Sequence, residues 1–439
     1  MTHTAWFRRG GFRSAVLFGA LAVGLLYVPK AAADPKPSLR SRVFGYIPYW
    51  TASKKTWDLR GLTDVALFSV GASETGTLTS TTFWRGKDAR AIIDDAHKQG
   101  IKVELAVTNF DPTSLHNLLS STSAVDKLVA ALVEESLVTQ PGDGLSIDFE
   151  GLRAADRAAL VSFVTKLRAA MKAKRSDSQL SLATPAVDWS KAYDYPGLAA
   201  QSDTLFIMGY GYHWSGSSTP GPGAPLSCGA PWGSICLAAT VKDYVAALGD
   251  GLRHKIVLGL PLYGYDYPAD SDKIGAKALG TGTAVLYSAA RKQVTNRRYE
   301  PVSQTPWYVY TDAKSVIHQV FYEDEESIGK KIDFIVEQKL GGVGFWALGY
   351  EDDSLWMVVK DKLVVTDPPP PLPPPPPVVD PPMNPETGSV AEAQGCALSS
   401  RSSHMPTFPA LLGVGSATIF LLGKRRRRTV RYNRPARAV

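Results

Sequence analysis

The sequence predicts an α/β chain built on a (β/α)8 barrel, with a small α+β insertion between strands seven and eight. Three observations point there. Between residues 37 and 366, short apolar runs rich in β-branched residues alternate with segments of helical periodicity. The alternation recurs often enough over about 330 residues to build eight strand–helix units, the content of a closed parallel barrel. No Gly-rich dinucleotide turn or phosphate loop occurs, which weighs against an open doubly wound sheet.

Strands are expected at 42–49, 64–70, 102–108, 144–149, 180–184, 204–210, 255–261 and 342–347. Helices are expected at 87–99, 124–138, 154–173, 240–252 and 327–340. Gly100 follows the first helix at the position of a C-terminal cap. The interval from Pro261 to Gly342 is too long for one strand–helix unit, so residues of about 265–322 are assigned to the insertion beside the barrel mouth.

Composition bounds the class. The chain has 439 residues, 44% hydrophobic and 20% charged, which fits a globular protein and excludes a disordered or collagen-like one. Its formal charge is +7, from 48 Lys+Arg against 41 Asp+Glu. Four of those bases lie in residues 1–33 and nine in residues 396–439, with no acid in either segment. The middle therefore carries 35 bases against 41 acids, a net −6, and does not read as a nucleic-acid binder.

The two ends read as addresses. Residues 1–33 combine early arginines, an apolar run from Ala15 to Val28 and the triplet Ala31-Ala32-Ala33, the pattern of a secretory signal peptide. Export permits Cys228 and Cys236 to pair as a disulfide across S-C-G-A-P-W-G-S-I-C; two free buried thiols are the alternative. No His lies at ligand spacing from either thiol, so no metal is expected. Residues 367–395 form a Pro-rich linker, with 12 prolines between 368 and 385, a composition that favours a stiff polyproline II spacer. Residues 396–439 follow: Cys396 after Gly395, an apolar segment at 408–423, then Lys424 and four arginines. This arrangement resembles the C-terminal sorting tails of myxobacterial surface proteins. That resemblance implies processing or lipid attachment at Cys396, with a sorting or processing protease as partner. A retained membrane anchor is the plain alternative.

The chemistry concentrates on the fourth barrel strand, whose residues 143–150 read D-G-L-S-I-D-F-E. Alternation along a strand puts Ser146, Asp148 and Glu150 on one face and Leu145, Ile147 and Phe149 on the other. The polar face points into the barrel, and Glu150 falls at the strand's carboxyl end, where barrel enzymes keep their active sites. Two acids that close raise one another's proton affinity, leaving one protonated and one ionised. A protonated carboxyl at a barrel mouth suits donation to a leaving group. A polar core layer or a metal site is the structural alternative.

Together with R-V-F-G-Y-I-P-Y-W (42–50), M-G-Y (208–210), K-I-V-L-G-L-P-L-Y-G (255–264) and G-G-V-G-F-W-A-L-G (341–349), this motif resembles glycoside hydrolase family 18, the chitinase-like family. V-T-N-F (107–110) and F-Y-E-D-E-E-S (321–327) resemble the branch that includes spore-cortex lytic enzymes. The resemblance covers roughly residues 40–365 and implies a TIM barrel that cleaves N-acetylated polysaccharide without a cofactor, as a monomer. By it, Glu150 is the general acid, Asp148 orients the substrate's 2-acetamido group, and Tyr210 holds the acetamido carbonyl. Trp346 is the floor under the sugar; a flat apolar ring at a barrel mouth also suits stacking on a sugar face. Tyr49, Tyr212 and Trp214 are assigned to the substrate side, Met208 to packing beside them, and Asp143 and Ser146 to support of the acids. The sequence departs from the family pattern at Ser146, which replaces an aspartate, and at Gly211, which stands where the family often has one. Ser146 can still hydrogen-bond Asp148, with weaker cycling of its proton. Those departures leave a second reading open: a surface protein that binds sugar with little or no turnover.

Overall fold

The computed structural model describes residues 41–53, 57 and 59–364. The expected signal peptide, Pro-rich linker, Cys396 and basic tail lie outside the described residues.

Eight parallel strands close into a barrel: β1 (Arg42–Pro48), β2 (Asp64–Ala72), β4 (Lys102–Asn109), β5 (Gly144–Phe149), β6 (Gln179–Pro185), β7 (Thr204–Met208), β8 (Ile256–Pro261) and β14 (Gly342–Trp346). They pair in that order, and β1 closes the ring by pairing with both β14 and β2. A two-residue strand, β3 (Leu78–Thr79), folds back on β2. The principal outer helices are α1 (Lys87–Lys98), α2 (Pro112–Ser120), α3 (Thr122–Glu134), α4 (Arg157–Lys174), α5 (Tyr195–Gln201), α6 (Leu237–Leu248), α8 (Glu325–Glu337) and α9 (Asp353–Leu363).

Why these strands form a barrel is visible in their two faces. Strand β5 is buried along its whole length, as a parallel strand covered on both sides must be. Its outward residues Leu145, Ile147 and Phe149 join the large core under the helices, and Phe149 stacks on Phe163 of α4 at 5.6 Å. The inward residues of β1, β2 and β7 form a second cluster around Phe44, Tyr46, Phe68 and Phe206. Glycine is required beside Phe206, because a Cβ at Gly344 or Gly259 would lie 2.1 or 2.4 Å from its ring. Polar side chains plug the amino end: Arg42 pairs with Asp64 at 3.1 Å and bonds Thr204, while buried Glu104 accepts from Ser181.

Helix ends follow local chemistry. Gly100 takes φ +66° just past α1, and Gly249, at φ +77°, stops α6 earlier than periodicity suggests. The stretch expected as helix to residue 252 continues instead as a 3-10 turn, Asp250–Lys255. Sequence periodicity missed α2, α5 and α9, which are short. The start of α2 nonetheless carries a legible signal, since Asp111 caps it by accepting from the Thr113 and Ser114 N–H groups, and Pro112 follows.

Between β8 and β14 the chain builds a second, antiparallel sheet of β9 (Tyr263–Ala269), β10 (Thr283–Leu286), β11 (Arg298–Glu300), β12 (Thr305–Thr311) and β13 (Ile317–Phe321), with the single-turn helix α7 (Tyr287–Ala290). It leans on the loop after β7: the Tyr267 hydroxyl donates to the Trp214 carbonyl at 2.9 Å. The words F-Y-E-D-E-E-S fasten it to α8. Asp324 caps that helix by accepting from the Ser327 N–H, and the buried Glu323 carboxylate takes the buried Lys331 ammonium. A disulfide joins Cys228 and Cys236, whose Cα atoms are 5.2 Å apart.

Candidate active site

The carboxyl end of β5 supplies the two acids. Strand alternation turns Ser146, Asp148 and Glu150 toward the barrel axis, and burial grades along them from Ser146 at the floor to half-buried Glu150 at the mouth. Asp148 is only 6% exposed, and no hydrogen-bond donor among the described residues reaches its Oδ1. Burial and the neighbouring charge of Glu150 push the Asp148 carboxyl well above the usual carboxylate range. Burial also raises Glu150. Both shifts favour keeping a proton on this carboxyl pair, which is what a proton donor at the mouth needs.

The Ser146 hydroxyl is committed elsewhere than Asp148. It shares a 2.7 Å hydrogen bond, through the barrel interior, with Tyr46 of β1, three strands round the ring. The Tyr46 ring packs edge-on against Phe206 at 4.9 Å, so the pair forms a floor beneath Asp148. Sequence reasoning missed Tyr46, although its alternation with Phe44 on a strand rich in aromatics marks it as inward-facing. Burial, with Asp148 nearby, raises the Tyr46 phenol well above its ordinary value.

The aromatic residues gather as a wall. Trp346, at the end of β14, is half-buried and meets Phe68 at 4.8 Å, Tyr46 at 5.7 Å and Trp50 at 6.4 Å, all at steep interplanar angles. The Trp50 indole N–H donates to the Tyr350 hydroxyl at 2.8 Å, and Tyr49 stands edge-on to Trp50 with 58% of its surface exposed. Tyr210 and Met208 pack with Trp346 on the inner cluster, and Tyr263 of the insertion meets the Tyr210 ring at 6.3 Å. Burial raises the Tyr210 phenol well above its ordinary value, with the neighbouring Tyr263 and Asp148 adding to the shift, so it stays a donor. Met208 makes packing contacts.

Tyr212 and Asp143 sit away from the two acids, and Trp214 lies on a loop. Tyr212 is turned outward: its hydroxyl shares a 2.7 Å bond with Thr240 of α6 and its ring packs against the outer core, so it does not present a face to the barrel mouth. Loop residues need not obey strand alternation, which is why its proximity to Tyr210 misleads. Trp214 is about half exposed, on the loop that carries the insertion contact. Asp143 lies at the amino end of β5, remote from Glu150 along the strand. Burial pushes its carboxyl up, but hydrogen bonds from the Val103 N–H, His97 and Lys102 outweigh that and hold it below its ordinary range. It anchors the strand's entry and not the proton chemistry. Gly211 has φ +79° and open space around the position a Cβ would take.

This arrangement can protonate a leaving group from Glu150, receive an N–H at Asp148, donate an O–H from Tyr210 and offer Trp346 as an apolar platform. Comparison with known proteins identifies the family. The sequence profile of the family described as Glycosyl hydrolases family 18 matches residues 42–351. The chain is 27% identical over 317 residues to the cortical fragment-lytic enzyme of Bacillus subtilis, covering 69% of this chain and 68% of that one. It is 27% identical over 342 residues to di-N-acetylchitobiase of Rattus norvegicus, covering 69% of this chain and 82% of the other. In fold it matches the crystal structure of a chitinase from Chromobacterium violaceum with a TM-score of 0.61 at 24% identity, over 73% of this chain and 98% of that one. With the profile spanning most of the barrel and insertion, the chain belongs to glycosyl hydrolases family 18 and is a glycosidase.

Proposed function

We propose that this glycosidase cleaves β-1,4 bonds of N-acetylglucosamine-containing polymers by a retaining, substrate-assisted route. The observation that carries the reading is the buried Asp148 Oδ1, an acceptor without a donor among the described residues, beside Glu150, whose proton affinity burial raises. A buried acceptor is costly to leave unmade. The N–H of a substrate acetamido group would satisfy it. Glu150 then gives its proton to the glycosidic oxygen as the C–O bond breaks. The acetamido oxygen, held by the Tyr210 hydroxyl, forms the new bond to the anomeric carbon. The resulting oxazolinium ion is opened by water, which Glu150, now ionised, deprotonates. Two displacements at one carbon restore its configuration.

Chitin oligosaccharides and peptidoglycan glycan strands both carry the required acetamido group, and relatives named for chitobiose and for cortical fragments support keeping both. The signal-like residues 1–33 and the Pro-rich and basic sequence of 367–439 support placing the domain's work outside the inner membrane. A surface protein that binds such sugars with weak turnover is the second reading. It is favoured by the commitment of Ser146 to Tyr46, with the Asp148 Oδ1 left without a donor among the described residues.

The test is the requirement for the acetamido group. Fluorogenic chitobioside is expected to be hydrolysed at least about 100-fold faster than the matching cellobioside, which has a hydroxyl in that place. Equal rates would remove substrate assistance. Measurable chitin binding without release of reducing sugar would favour the second reading. Mass spectrometry of products from chitin oligosaccharides and from peptidoglycan strands then identifies the polymer.

A further inference from the structure

The backbone around Glu150 is held in an uneven way. On one side, β5 stays paired with β4 up to Asn109↔Phe149, and the Glu150 N–H donates to the Asn109 carbonyl at 3.0 Å. On the other side, pairing with β6 ends at Ile147↔Leu182, while β6 remains paired with β7 to its end at Pro185↔Met208. Strand β6 therefore parts from β5 just below the mouth, and the Phe149 carbonyl lies beyond the last paired residue. A tyrosine hydroxyl fills that place: Tyr193 donates to the Phe149 carbonyl at 2.7 Å from 44 residues away.

The tyrosine is itself fixed. Its ring is 7% exposed, its N–H donates to the Asp188 carboxylate at 3.0 Å, and its carbonyl accepts from Arg157 of α4 at 2.6 Å. The Phe149 carbonyl and the Glu150 N–H belong to one planar peptide group and point to opposite sides of it. With both ends bonded, that plane cannot rock, and the Glu150 side chain starts from a set direction.

We propose that Tyr193 is a positioning residue for Glu150, its hydroxyl replacing the ladder partner that β6 ceases to supply. The proposal rests on the reading of Glu150 as the proton donor. Burial, with Glu150 and Asp148 nearby, raises the Tyr193 phenol well above its ordinary value, so it remains a donor throughout any assay range. The divergence of the strands opens the mouth, and the tyrosine keeps the catalytic peptide rigid despite that opening.

The experiment compares Tyr193→Phe with Tyr244→Phe on a fluorogenic chitobioside, with melting temperatures measured alongside. Tyr244 is a matched control, since its hydroxyl donates to the Pro185 carbonyl at 2.8 Å, a strand-end bond of the same kind beside β6. Tyr193→Phe is expected to lose about tenfold in kcat with KM within about twofold, because orientation of a catalytic group acts on the chemical step. Tyr244→Phe is expected to keep kcat within about twofold for a similar fall in melting temperature. Unchanged kcat in Tyr193→Phe, or equal kcat losses in the two variants, would overturn the proposal. Glu150→Gln in the same series separates the two claims. If it stays active, the assignment of the acid fails. If it is inactive while Tyr193→Phe keeps its kcat, only the positioning role fails.

Discussion

Glu150→Gln is expected to lower kcat on chitooligosaccharides by about 10²–10⁴-fold while leaving KM near its wild-type value, the scale on which a positioned general acid contributes. Glutamine keeps the shape and the backbone bond to Asn109 but cannot deliver a proton. The raised affinity of Glu150 for its proton comes from burial. The alkaline limb of the wild-type rate profile should therefore lie above the ordinary glutamate range, and no such limb should govern whatever activity the variant keeps. Steady-state kinetics across pH check both statements. Retained activity with an unchanged alkaline limb would place the proton donor elsewhere.

Asp148→Asn carries the second large effect, a loss of about 100-fold or more in kcat, because the group that polarises the acetamido N–H can no longer ionise where positive charge develops in the transition state. The same substitution has an opposite consequence for stability. Burial and the adjacent Glu150 raise the folded-state proton affinity of Asp148, so ionising it disfavours the fold. An unfolded aspartate ionises near pH 3.9. The penalty therefore begins as pH rises through that value and grows until the folded carboxyl has itself ionised. Asparagine has no such penalty. The melting temperature of Asp148→Asn relative to wild type should move in the variant's favour as pH rises above about 4. A difference that is flat, or that moves the other way, would mean that Asp148 is not held against ionisation. Such an exchange of stability for activity is common where a buried acid does chemistry.

How far the sequence discloses this site depends on which contacts are local. Strand β5 is found with its observed bounds, Gly144–Phe149, because alternation and burial on both faces act within six residues. The facing of Asp148 and Glu150 follows from that alternation alone. The partner of Ser146 does not: Tyr46 lies 100 residues away, and only the curling of the sheet into a barrel brings β1 within reach of β5. Tyr193 is hidden for a related reason. It sits in a loop without periodicity, and its use depends on where two strands separate. Tyr212 shows the converse hazard, for adjacency to a site residue says nothing of where a loop side chain points. Short helices such as α2 carry a cap signal but too few turns for a periodic one.

The most direct test is the anomeric form of the first product. A wild-type digest of an N-acetylchitooligosaccharide, followed by proton NMR before mutarotation equilibrates the new reducing end, should show the β-anomer first. That result follows from two displacements at one carbon, with the acetamido group between Asp148 and Tyr210 as the first nucleophile. Initial appearance of the α-anomer would mean a single displacement by water, and would contradict the roles given to Asp148 and Glu150.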